Sequence, residues 1–71
     1  MDDRFAKRLK SLREEKGYSV FQLAKKARIS PSELAELEQA KRTPQATTVA
    51  KLSEALGVSR SVLISELENR K

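Results

Sequence analysis

Ser19-Val20-Phe21-Gln22-Leu23-Ala24-Lys25-Lys26-Ala27-Arg28-Ile29-Ser30-Pro31-Ser32-Glu33-Leu34-Ala35-Glu36-Leu37-Glu38-Gln39 applies one local rule twice. Ser19 can cap a helix, and Gln22, three residues on, can reach back to close a capping box, with Tyr18 and Leu23 placed as a hydrophobic staple. Ser30 and Glu33 repeat the box and Ile29 and Leu34 the staple. Pro31 takes the first helical position, where its missing N–H and fixed φ suit the backbone. The spacing predicts a helix from about Val20 to Ala27 and another from Pro31 to about Gln39. Two short helices joined by three or four residues make a helix-turn-helix over about residues 19–39.

Outward from this pair, Phe5, Leu9 and Leu12 recur at helical spacing and predict a first helix over about residues 3–16, stopped by Gly17 in a left-handed cap. Beyond Thr43-Pro44, Val49, Leu52 and Leu56 predict a fourth helix that ends at Gly57. Ser59 can cap a fifth, with Val62, Leu63 and Leu67 as its inward residues. No stretch alternates with period two, so no strand is expected. The reading is all-α: five helices in a single domain over residues 1–71, without linkers or repeats.

Composition narrows the function. A chain of 71 residues buries only about 60% of the surface its unfolded form exposes, which leaves little room for a substrate pocket, so an enzyme is not expected. With no cysteine or histidine there is no disulfide, zinc finger, thiol nucleophile or imidazole base, and no metal or cofactor is expected. Fifteen basic against ten acidic residues, net +5, favour a polyanionic partner, nucleic acid first. No apolar run approaches the roughly 18 residues of a membrane span. Met1-Asp2-Asp3-Arg4 lacks the apolar core of a secretory signal, so the expected location is cytoplasmic.

Several stretches, in order and at matching spacing, resemble the Cro and phage-repressor type of helix-turn-helix domain. They are Leu9-Lys10-Ser11-Leu12-Arg13, Lys16-Gly17-Tyr18-Ser19, Gln22-Leu23-Ala24, Leu37-Glu38 with Lys41-Arg42-Thr43-Pro44, and Ala55-Leu56-Gly57-Val58-Ser59. The likeness runs from Phe5 to about Ile64. It implies a five-helix, lambda-repressor-like DNA-binding domain, commonly a dimer, with its third helix in the major groove. It also implies an ion pair between Glu38 and Arg13, and a segment around Lys41 and Arg42 that reaches the phosphate backbone.

The chain departs from that family's pattern in four places. Arg28 stands where the turn usually has glycine, and Ala40 where glycine often follows the third helix. Val20 replaces a frequent glutamine, and Phe21 occupies a position usually polar, so the two are expected to form a small apolar patch beside the DNA surface. Residues 29–40 carry Glu33, Glu36 and Glu38 with no basic residue, so a third helix that meets DNA needs neutralising charges nearby.

On the helical wheel Leu34 and Leu37 face inward and leave Ser32, Glu33, Ala35, Glu36 and Gln39 outward or at the edge. Glu33 is assigned to the capping box rather than to base reading. Ser32, Ala35, Glu36 and Gln39 are the base-reading candidates. Glu36 has no evident structural task; it either accepts from cytosine N4 or is a solvated surface group. Ser32 is best placed, because recognition helices approach base edges with their N-terminal residues.

Phosphate-contact candidates are Ser19, Arg28, Lys41, Arg42, Thr43, Gln45 and Thr47, the last ones beside helix four, whose first N–H groups can also bind phosphate. Lys25 and Lys26, next to Arg28, read as a solvated charged face. Val62 and Ile64 form an apolar edge suited to a homodimer contact or to core packing.

The expectation is a sequence-specific transcriptional regulator, a repressor or autoregulator, binding a two-fold symmetric operator on double-stranded DNA as a dimer. The rival is a helix-turn-helix used as a protein-interaction module through Val20, Phe21 and the acidic third helix.

Overall fold

The computed structural model describes residues 3–68, with side chains described through residue 64, and every regular element among them is helical. These are α1 (Arg4–Glu15), α2 (Val20–Ala27), α3 (Pro31–Glu38), α4 (Ala46–Leu56) and α5 (Arg60–Glu68). Serine side chains cap the starts of α2, α3 and α5. Ser19 Oγ accepts from the Gln22 N–H at 3.1 Å while Gln22 Oε1 accepts from the Ser19 N–H at 2.8 Å, a complete capping box. Ser30 Oγ accepts from the Glu33 N–H at 3.0 Å, and Ser59 Oγ from the Val62 N–H at 3.2 Å. The second box is only half made: Glu33 does not return to Ser30 but turns its carboxylate to Thr48 Oγ1, 3.4 Å away on α4. That corrects the capping assignment for Glu33, since a hydroxyl donor at the α3–α4 contact captures the carboxylate.

Four of the helices stop by one device. A residue in left-handed conformation is followed by one whose N–H reaches back five positions. Tyr18 donates to the Arg13 carbonyl at 3.1 Å, Ile29 to Ala24 at 3.0 Å, Lys41 to Glu36 at 2.9 Å and Val58 to Ser53 at 3.0 Å. Gly17 and Gly57 hold two of the left-handed positions, at φ 77° and 73°. Arg28 and Ala40 hold the others at φ 63° and 60°, where a Cβ is strained against the following carbonyl.

The principal helix contacts close a circuit: α1 on α3, α3 on α2, α2 on α4, α4 on α5, and α5 back on α1. Inside it lie Phe5, Leu9 and Leu12 from α1, Leu23, Ala24 and Ala27 from α2, Leu34 and Leu37 from α3, Val49, Leu52 and Leu56 from α4, and Leu63 from α5. Tyr18, Val20, Ile29, Val58 and Ile64 pack partly buried around this cluster. One inward assignment for α5 changes. Val62 points outward and is 39% exposed, because Leu63 next to it fills the core. The Leu67 side chain lies outside the described residues.

Candidate nucleic-acid interface

Helix α3 is anchored through Leu34 and Leu37, both sealed in the core, and this fixes which of its faces stays open. Ser32 and Gln39 are exposed, and Ala35 and Glu36 are half-buried along the same short helix. Ser32 lies in the first turn, two positions after the Ser30 cap, and Glu36 one turn further on. Gln39 is the C-terminal cap residue.

The three acidic residues of this region each have a partner. Glu38 is held by Arg13 of α1 in a two-point contact, Nε to Oε2 at 2.7 Å and Nη2 to Oε1 at 3.1 Å. The side chains are only 12% and 9% exposed. Arg13 Nη1 also donates to the Tyr18 carbonyl at 2.8 Å, so one guanidinium ties together α1, the turn before α2, and α3. The Glu38 hydrogen bond raises the Arg13 pKa above its ordinary value against the opposing effect of burial. Glu36, for which the sequence offers no structural task, is paired as well. Arg42 Nε and Nη2 donate to its Oε1 at 2.9 and 2.7 Å. The same bond raises the Arg42 pKa. Glu33 accepts from Thr48. Two of the three carboxylates are therefore neutralised by arginines from outside the helix.

Thr48 is a participant that sequence reasoning missed. It is 6% exposed, and it lies four residues before Leu52 on the buried face of α4. That phase was the available signal: a hydroxyl in register with core leucines needs an acceptor.

Lys41, Arg42 and Thr43 are exposed after α3, and Gln45 and Thr47 are exposed at the start of α4. Gln45 is the N-cap residue of α4 but makes no side-chain cap bond, unlike Ser19 and Ser30. Arg28 is exposed in the turn. The Ser19 side-chain oxygen is engaged in its cap. Lys26 places its ammonium 5.6 Å from the centre of the Tyr18 ring. Phe21 is 72% exposed beside the half-buried Val20. Between the start of α4 and α5, an open cleft of about 320 Å³ is lined by Ala46, Val49, Arg60, Ser61 and Ile64. The described residues contain no cluster of metal-ligating side chains, and no helix among them is long and apolar enough to cross a membrane.

A family model for the helix-turn-helix matches residues 9–63. The chain is 36% identical over 59 residues to the immunity repressor protein of Bacillus phage phi105, which covers 83% of this chain and 41% of that repressor. It thus spans about two fifths of that relative's length. Among solved structures it is similar to C.AhdI, the restriction-modification controller protein of Aeromonas hydrophila, with a TM-score of 0.82 and 30% identity over 83% of this chain and 89% of that one. It is also similar to SinR, a master regulator for biofilm formation solved in complex with DNA, with a TM-score of 0.81 and 36% identity over 84% and 97%. With five helices in this arrangement, a helix-turn-helix at its centre and a match over most of its length, the chain belongs to the Cro and phage-repressor type of helix-turn-helix family, and carries the DNA-binding domain of its transcriptional regulators.

Proposed function

We propose that residues 1–71 act as one sequence-specific domain of a repressor or autoregulator that binds a two-fold symmetric operator on double-stranded DNA as a homodimer. Helix α3 lies in the major groove, with Ser32, Ala35, Glu36 and Gln39 towards base edges. Ser19, Arg28, Lys41, Arg42, Thr43, Gln45 and Thr47 face the phosphates, and the N–H groups that begin α4 add to them. The half-exposed Val62 and the cleft at Ile64 form the dimer contact. The protein acts by binding alone, in the cytoplasm, without cofactor or catalysis.

The observation that carries this reading is the charge compensation of α3. Its outward face is open, and two of the three carboxylates that would repel DNA, Glu38 and Glu36, are met by Arg13 and Arg42. A second reading, docking to a protein through Val20, Phe21 and α3, draws support from the 72% exposure of Phe21.

Selection from random duplexes at physiological salt separates the two. The DNA reading yields an inverted repeat whose half-site centres lie roughly 34 Å, one helical turn, apart, and an affinity that falls steeply with salt. Equal retention of all duplexes and of a generic polyanion transfers the assignment to the protein-docking reading.

A further inference from the structure

Glu36 and Arg42 meet across the left-handed turn at Ala40, and their contact is more specific than charge neutralisation requires. The Lys41 N–H bond to the Glu36 carbonyl closes that turn at 2.9 Å and brings residue 42 back over residue 36. Both hydrogen bonds from Arg42 then fall on one oxygen, Oε1, so that Arg42 leaves Oε2 unengaged. The guanidinium has five N–H groups and spends two of them on Glu36, leaving both on Nη1 and one on Nη2. The side chains are 48% and 44% exposed, so these remaining donor and acceptor edges are open to a partner.

A carboxylate entering the major groove alone is repelled by the phosphates on either side. Held by a guanidinium, it brings no net charge yet keeps a strong acceptor in a fixed direction. We infer that Arg42 is a positioning residue for base readout. It neutralises and orients Glu36 so that Oε2 accepts from a cytosine N4 amino group, while its own remaining N–H groups reach the neighbouring phosphate. One arginine thereby links base choice to backbone register. The inference rests on the reading of α3 as the groove-bound helix.

The test compares motifs selected from random duplexes by the wild-type chain, Glu36→Gln, Arg42→Ala, Arg42→Lys and Lys41→Ala, followed by competition titrations on single-base variants of the selected site. Arg42→Ala loses discrimination by about tenfold at the same base pair that Glu36→Gln affects. Arg42→Lys keeps the charge but does not restore the preference, because an ammonium lacks the planar two-nitrogen edge. Lys41→Ala lowers affinity for all sequences alike and leaves the motif intact. Adding Glu36→Ala to Arg42→Ala raises affinity for every duplex, since the uncompensated carboxylate is gone.

The inference is overturned if Arg42→Ala weakens all sequences by one factor with the motif unchanged, or if Glu36→Ala gives no recovery in that background. In either case wild-type sequence selection, and the reading of α3, still stand. A wild-type chain that selects no motif overturns both together.

Discussion

At the scale of single residues, the left-handed positions offer the cleanest test of backbone energetics. A Cβ placed on Gly17 or Gly57 meets nothing within 4 Å, so substitution there senses the backbone conformation and not a clash. Gly17→Ala and Gly57→Ala should each destabilise the fold by a net of about 0.5 kcal/mol in urea melts, left-handed strain outweighing the lower entropy of the unfolded chain. Arg28→Gly and Ala40→Gly are the mirror experiment. Relief of about 1–2 kcal/mol of left-handed strain, less about 0.5–1 kcal/mol of unfolded-chain entropy, predicts a net gain of about 0.5 kcal/mol at each. Midpoints that rise in the two alanine variants and fall in the two glycine variants, as unfolded-chain entropy alone dictates, would show that these positions carry no strain. The Arg13–Glu38 pair is a second residue-scale test. Arg13→Met or Glu38→Gln strands the other, little-exposed partner and should lose about 3 kcal/mol, whereas the double mutant should lose clearly less than the sum. Strict additivity would mean that the two side chains do not interact energetically.

At the scale of helices, start signals differ in kind. Ser19 supplies a reciprocal cap for α2 and Ser30 a one-way cap for α3, whereas Gln45 offers α4 no side-chain bond. Ser19→Ala and Ser30→Ala should each lower stability by about 1 kcal/mol, while Gln45→Ala should be within about 0.5 kcal/mol of wild type. Chemical denaturation of the three variants ranks them, and an equal loss at Gln45 would place a cap where none is seen. The capping bonds, the helical periods and the two glycine stops lie within five residues of one another, which is why α2 was legible to the residue and α1 and α3 to within one.

At the scale of the whole molecule, the circuit of five helices decides which side chains remain outside. Leu63 is buried where α5 packs on α1 and α4, and its neighbour Val62 is left exposed. On the proposal that this edge is the dimer contact, Val62→Glu should weaken self-association at least tenfold, by roughly 1.4 kcal/mol or more, while leaving the monomer's thermal midpoint close to wild type. Sedimentation over a concentration series, paired with melts at low concentration, reads both quantities, and unchanged association removes this edge from the dimer contact. On the same proposal, affinity for DNA should fall with the loss of the dimer, because each half-site would then be held singly.

By itself the sequence determined the number, kind and order of the helices, the buried leucines, and the residues on the open side of α3. All of these follow from contacts within one or two helical turns. What it left undecided involved groups that only the tertiary arrangement brings together. Glu33 reads as a capping carboxylate until α4 presents Thr48 to it. Glu36 and Arg42 read as independent groups because their meeting depends on the direction in which Ala40 turns the chain, and alanine carries no signal for φ 60°. The face of α5 that stays exposed depends on where α1 and α4 already stand, information that no local period contains. Local chemistry thus specified the elements, while the electrostatic character of the candidate interface was set by packing, which pairs an acidic helix with arginines from elsewhere in the chain.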